Sequence, residues 1–311
     1  MRSSHTGAGA AALPQPAAAS PRQPQAAGRW LPRALLTPAV VAITIISVVP
    51  LLITLFYSVL RYSLFNGIEG FNGLMNFEFF FTDAAFLPAL QNTFVLLFSV
   101  MLITVVAGAG LGLLINDAFP GRAIVRVLLI SPFLVMPAVN ALMWKNMMLN
   151  PIYGLFAQVS LFFGLAPVDW MAHYPLLSII MMVSWQWLPF ACLIFMTSLQ
   201  SMDREQLEAA RMDGANYLQQ LRYMYIPHLS RSISVVIMIE MIFLLSVFAE
   251  IFTTTSGGPG FDSTTITFMI YQQALLAYDA GAASAGAIFA VILANIAAFF
   301  LMRVIARNLA K

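Results

Sequence analysis

This chain is poor in charge, in lysine and in cysteine. Only 9% of its 311 residues are charged, where a soluble domain carries about 25%. That deficit excludes an ordinary water-soluble domain. A 60% apolar content and a mean hydropathy of +0.85 point to an integral membrane protein, and the apolar runs are long enough to span. Cys192 is the only cysteine, so no internal disulfide can form. It lies in an apolar run and reads as a buried, inert thiol, since free cysteine packs as a small hydrophobe; the other reading is a nucleophile. Lys145 and Lys311 are the only lysines, and neither follows a Gly-x-x-x-x-Gly frame. A phosphate-cradling P-loop is therefore excluded. The net charge of +2 gives no argument for a nucleic-acid partner.

What is present is a series of apolar runs. We expect an all-α integral membrane fold with six spans, at about 34–60, 91–116, 124–148, 175–200, 231–254 and 282–306. Residues 1–30 are rich in Ala, Pro, Gln and Ser, with arginines and no acid. Such a segment cannot bury a core and reads as a disordered tail. A cleaved signal peptide is not expected, because the first apolar run is too long for one. Residues 31–311 then form a single six-helix transmembrane domain. With the N-terminus in the cytoplasm, thirteen Lys and Arg fall inside and two, Arg61 and Lys145, outside. The positive-inside rule therefore puts both termini and the 201–230 loop in the cytoplasm. On this topology His173 lies outside and His5 and His228 inside. They form neither a metal site nor a relay, and no metal is expected.

The loop between the fourth and fifth runs is a polar island. Asp203 to Met212 reads as a short polar helix, with Arg204 and Glu208 four apart on one face. Gly214 breaks it, and Asp213 can cap the helix that follows. Ala215 to Tyr225 reads as a second helix ended by Pro227. Two short helices at an angle make a rigid knob, and Ala209 and Ala210 let it enter a groove closely. A solvated loop is the bland alternative. The order Glu208-Ala209-Ala210, two residues, Asp213-Gly214-Ala215, then Ile226-Pro227 resembles the EAA loop of binding-protein-dependent ATP-binding-cassette permeases. Met224 and Ile226 are small departures from that pattern.

The resemblance covers about residues 34–307. Trp144-Lys145, Pro151 to Gly154, Trp185, Pro189-Phe190, Leu199-Gln200, Thr255 to Gly260 and Tyr278 to Ala285 are spaced as in the carbohydrate-uptake group, of the maltose-permease first-subunit type. Ser246 to Phe252 and Tyr271 to Ala274 look most like sorbitol and mannitol permeases. The resemblance implies the type I importer permease fold in a bacterial inner membrane. It implies no catalytic residues and no cofactor on this chain, with ATP and Mg bound by a partner ATPase. The implied partners are a second permease, an ATPase dimer, an external solute-binding protein and membrane lipid. Glu208, Ala209, Ala210, Asp213 and Gly214 are the implied ATPase-coupling residues.

For substrate contact, Glu240 stands out. It lies near the middle of the fifth run, about 15 Å from each end at helical rise. An acid at that depth costs about 3 kcal/mol on insertion scales and by default marks a pathway; a hydrogen bond to another helix is the structural alternative. The resemblance puts Glu240 at a sugar-contacting position. Trp187 and Phe190 read either as a stacking platform or as core aromatics, with Trp185 beside them, and the resemblance favours Trp187 and Phe190. Leu244 and Ser246 are weaker candidates. Glu250, nearer the outer end, is expected to snorkel to water. No Arg or Lys lies at mid-depth, which suits a neutral sugar or polyol. A gradient-driven secondary transporter is the alternative function; it usually shows internal repeats, and none is visible.

Overall fold

The computed structural model describes residues 30–116 and 119–309. The tail expected over 1–30 lies, apart from Trp30, outside them. The chain divides into two compact units, one ending at Leu51 and one beginning at Leu52. The first opens helix α1 (Trp30–Ser58), whose stretch Arg33–Ser58 is long and apolar enough to cross a membrane. Thr37 and Thr44 donate their hydroxyls to the carbonyls of Arg33 and Val40, at 2.7 and 2.8 Å. Their polarity is thus satisfied within the helix, as a lipid environment requires.

The second unit continues from the end of α1 into a short antiparallel hairpin, β1 (Leu60–Ser63) and β2 (Gly67–Phe71), with a bulge at Arg61/Tyr62. The sequence reading had no strand here. Helix α2 (Met75–Thr82) follows, and its buried Asn76 donates to the carbonyls of Ser58 and Leu60 at 2.9 and 2.8 Å. These bonds pin the helix-to-strand junction.

Helix α3 (Phe86–Asn116) is apolar all round, yet its faces differ. Leu97, Val100, Thr104, Gly108 and Gly112 are buried, whereas Phe98, Leu102 and Val106 are exposed. Both sets follow helical spacing. The inner face is the one with small residues. A Cβ on Gly108 would lie 2.9 Å from Ala191 Cβ, and one on Gly112 would lie 3.4 Å from Phe195 Cβ. Small residues one turn apart let α3 approach the helix over Pro175–Gln200 closely, the usual means of helix association in lipid.

The third apolar run is not one span helix. Helix α4 (Arg122–Ile130) tightens into a 3₁₀ turn over Ser131–Leu134, and helix α5 (Pro137–Met143) continues through a π-helical turn, Trp144–Met148. The two halves are bent by 105°. The run expected to span at 124–148 is therefore broken, at the two prolines inside it. Pro132 and Pro137 each lack an N–H; Ser131, before Pro132, stays helical, whereas Pro137 pushes Met136 towards extended backbone. Val135 and Met136 are extended, with ψ of 133° and 141°. The bend is then pinned from outside: Gln186 Nε2 donates to Val135 O at 2.7 Å, and Asn140 Nδ2 donates to Gln186 Oε1 and Met182 O at 2.9 and 3.0 Å.

Two short helices, α6 (Leu155–Phe162) and α7 (Trp170–His173), precede α8 (Pro175–Gln200). The Asp169 side chain caps α7 by accepting from Ala172 N at 3.1 Å. Helix α8 begins and ends where the sequence reading put its fourth span. After it come α9 (Arg204–Met212), α10 (Tyr217–Gln220), a π-helical turn (Leu221–Tyr225) and α11 (Ile226–Leu244). The helix that carries the fifth span runs from Tyr217 to Leu244, so it begins inside the polar loop and ends ten residues before the expected 254. Pro227 does not end the second loop helix, because it falls in the first turn of α11, where its missing N–H is tolerated; the π turn, closed by Ile226 N to Leu221 O, leads into it. At the other end the chain breaks over Leu245–Phe248. Thr267 Oγ1 takes up Leu245 O at 2.7 Å, and helix α12 (Ala249–Thr254) starts afresh. Lys145 Nζ donates to the carbonyls of Thr253 and Thr254 at 3.3 and 3.0 Å. A cation there complements the negative end of α12.

Helix α13 (Ile266–Tyr271), with a π-helical extension over Gln272–Leu276, precedes the last helix, α14 (Ala280–Leu309). Gly286 of α14 packs directly on the Phe80 ring. Among the described residues, five helices are long and apolar enough to cross a membrane, and the bent pair makes six. The main core lies between α3, α5, α8, α11 and α12, and includes Val100, Ala141, Met182, Met241, Leu244 and Ile251.

Candidate substrate path and coupling loop

Glu240 is fully buried on α11. Its Oε2 accepts from Thr104 Oγ1 of α3 at 2.7 Å, while Oε1 has no partner among the described residues. A lone unpaired acceptor in the interior is costly. Ser184 Oγ and Asn140 Oδ1 are likewise buried without a partner among the described residues. Thr104 also lies within reach of the carbonyls of Val100 and Met101, at 2.9 and 3.1 Å. It has one hydroxyl hydrogen for three acceptors. Sequence reasoning missed Thr104, since nothing local marks a threonine in an apolar run as the partner of an acid 136 positions away.

Trp187 and Phe190 come together, half-buried, on α8. They join Phe133, from the bend of the third span, and Phe243, from α11. Trp187 lies 5.7 Å from Phe133, 5.7 Å from Phe190 and 5.2 Å from Phe243, and Phe133 stacks on Phe190 at 5.8 Å and 22°. Edge-on and offset pairs at these separations are the favoured aromatic geometries. Phe133 and Phe243 were not singled out by the sequence reading. Trp185 points elsewhere and meets Trp144 at 6.0 Å, next to Phe156. Leu244 is buried in the core, and Ser246 is exposed in the break after α11. Glu250 is buried at 4% exposure, which corrects its expected reach to water.

The loop of 201–230 is built by local bonds. Asp203 caps α9, its Oδ1 accepting from Glu205 N at 2.9 Å. Gly214 has φ of +85°, and nothing lies within 4 Å of where its Cβ would be. Its glycine is needed for backbone conformation and not for space. Ala215 N reaches Ala210 O at 2.9 Å and Gly214 N reaches Arg211 O at 3.1 Å, the pair of bonds that closes a Schellman turn. Asp213 ends α9 and does not cap the next helix, contrary to expectation. Asn216 does so, in a capping box with Gln219: each side chain bonds the other's backbone N–H, at 2.9 and 2.8 Å. Asparagine competes well as a cap, and a glutamine three residues on completes the pair.

Glu208, Ala209, Asp213 and Gly214 are exposed and Ala210 is half-buried. Around the turn, Met212 is 88% exposed, Leu218 71% and Tyr217 63%. These apolar side chains on an otherwise polar loop were not noted in the sequence reading. Among the described residues, no group of three His, Cys, Asp or Glu side chains could hold a metal ion.

Several helices long and apolar enough to cross a membrane, with a rigid capped polar loop between two of them, have the build of a transporter's membrane component. Residues 25–311 match the family described as binding-protein-dependent transport system inner membrane component, and the chain belongs to that family. It is a transport component, not an enzyme. It is 32% identical over 253 residues to a probable ABC transporter permease protein, y4oQ, of Sinorhizobium fredii, covering 80% of this chain and 81% of that protein. It is 26% identical to the trehalose/maltose transport system permease protein MalF of Thermococcus litoralis, over 83% and 88% of the two chains. Identity to the sn-glycerol-3-phosphate transport system permease protein UgpA of Salmonella typhimurium is 27%, over 90% and 96%. The fold is also that of a chain in a bacterial ABC transporter involved in alginate import, with a TM-score of 0.77 at 22% identity over 90% and 96%.

Proposed function

We propose that this chain is one of two permease subunits in an ATP-driven importer of a neutral sugar or sugar alcohol, of sorbitol or mannitol type. An ATP-binding-cassette ATPase dimer, which binds ATP and Mg, supplies the energy. An extracytoplasmic binding protein delivers the solute, and lipid surrounds the spans. Both termini and the 201–230 loop face the cytoplasm.

The observation that carries the coupling half is the rigid, capped knob with Met212, Tyr217 and Leu218 exposed around Gly214. Exposed apolar side chains rimmed by polar ones mark a docking surface. On this reading Glu208, Ala209, Ala210, Asp213 and Gly214 form the face that the ATPase grips. Closure of the ATPase pair on ATP moves the knob and, through the continuous Tyr217–Leu244 helix, moves Glu240.

The substrate half rests on Glu240 and the aromatic cluster. A carboxyl oxygen with no partner is a ready acceptor for a hydroxyl donor. Trp187 and Phe190 supply flat apolar surface for a sugar's ring or a polyol's carbon chain, and Ser246 borders the path, while Leu244 is buried in the core. The named relatives carry both neutral and anionic solutes, so the relatives alone do not select the polyol. The test is uptake by the assembled importer in vesicles, with labelled mannitol, sorbitol, maltose and glycerol 3-phosphate offered in turn. ATP-dependent uptake of a polyol is expected. Uptake of glycerol 3-phosphate alone overturns the neutral-solute reading, and uptake by this chain alone on an ion gradient overturns the ABC reading.

A further inference from the structure

A cleft of about 620 Å³ opens beside the coupling loop, and Glu240 does not line it. Arg122 and Arg126 of α4, Arg211 of α9, and Asp203, Glu208 and Tyr225 all line it. Among the described residues lining it, three guanidiniums face two carboxylates, an excess of positive charge. Arg122 Nε and both Nε and Nη2 of Arg126 are buried without a hydrogen-bond partner among the described residues. Buried donors of this kind are rarely left unmade in a folded protein. Arg122 and Arg126 are also one helical turn apart, so two like charges share a face. An anion between them removes both difficulties.

The type of anion follows from geometry and place. Guanidinium forks match the oxygens of phosphate. Asn116, the last residue of α3, lines the cleft, and Arg122 opens α4. The cleft thus lies where two spans end, and basic pockets between span ends on the cytoplasmic side suit phosphate headgroups. Arg211 also donates Nε to Gln220 Oε1 at 3.5 Å, and Gln220 Nε2 donates to Ala215 O at 2.8 Å. The cleft is therefore connected to the turn at Gly214.

We propose that this cleft binds a phosphate-bearing anion between Arg122, Arg126 and Arg211, and that the anion braces the coupling loop against the ends of the spans. The binding chemistry is independent of which solute is imported; only the bracing role rests on the coupling reading.

The test uses the assembled transporter in nanodiscs of phosphatidylcholine, with or without phosphatidylglycerol, and titrates fluorescent phosphatidylglycerol or inorganic phosphate. One of the two probes is expected to bind. The Arg122→Gln/Arg126→Gln pair should weaken it by about fivefold for each arginine. Binding of the lipid alone identifies a headgroup; binding of inorganic phosphate identifies a soluble source. If the glutamine pair does not assemble, Arg122→Lys/Arg126→Lys replaces it, and a severalfold loss is expected because the forks are gone. Wild-type affinity in the variant, or binding of neither probe because ATPase carboxylates fill the cleft, overturns the proposal. Since the readout is binding, its failure is distinct from a failure of transport.

Discussion

Gly214 can be replaced so that only the backbone is tested. Its φ is +85° and its missing Cβ would meet nothing within 4 Å, so a side chain here changes torsional energy and leaves packing alone. Holding an L-residue in the left-handed region costs about 1–2 kcal/mol. β-Branched residues are true outliers there, while asparagine is tolerated. Each 1.4 kcal/mol is about tenfold in the population of the closed turn. Opening it gives up the bonds from Ala215 to Ala210 and from Gly214 to Arg211, which set the angle between α9 and α10. The expected order of ATP-dependent uptake is Gly, then Gly214→Asn close behind, then Gly214→Ala lower by about five- to thirtyfold, then Gly214→Val lowest. The assay is labelled-solute uptake in vesicles, beside ATP hydrolysis and the amount of assembled complex. Valine should lose uptake while the protein still inserts. If Gly214→Val and Gly214→Asn transport alike, at the wild-type rate, the argument from the left-handed turn is wrong.

Three other substitutions test separate parts of the account. Glu240→Ala should reduce uptake by about tenfold or more with the ATPase still bound, since it removes the unpaired acceptor while Thr104 keeps Val100 O at 2.9 Å as an acceptor; unchanged uptake kinetics would make Glu240 structural. Gly108→Leu should lower the thermal midpoint in detergent, because even a Cβ lies 2.9 Å from Ala191 Cβ and overpacking costs about 1–3 kcal/mol; an unchanged midpoint would mean α3 and α8 are not packed through this face. Lys145→Met should cost up to about 2 kcal/mol at the end of α12, read as faster hydrogen exchange over Ala249–Thr254, and wild-type exchange there would contradict the cap.

Much of the fold is written locally. The fourth span is legible because one apolar run is bounded by Tyr174-Pro175 and by the polar Gln200-Ser201. The loop motif is legible because Gly214, the two alanines and the acids recur at fixed offsets. The bend of the third span is only half written. Pro132 and Pro137 announce a disturbance, but the size of the bend depends on Gln186 and Asn140 reaching Val135 and Met182. The early end of α11 is likewise decided by a distant group, the Thr267 hydroxyl on Leu245 O. Asn216 was readable as the cap, given Gln219 three positions on, and was passed over for Asp213 beside the glycine. At the candidate substrate path, single residues such as Glu240 and Trp187 stand out by type. Their neighbours Thr104, Phe133 and Phe243 do not, because an apolar run gives no reason to prefer one threonine or phenylalanine over the next.

The most direct measurement is a cross-link at the knob. Met212 is 88% exposed, and the chain's one thiol, Cys192, is buried at 1%, so a Met212→Cys variant presents a single reactive site. In native membranes it should join to an ATP-binding-cassette ATPase and stay untouched by a membrane-impermeant thiol reagent added outside the cell. Labelling from outside, or cross-links that never include a nucleotide-hydrolysing subunit, would contradict the account.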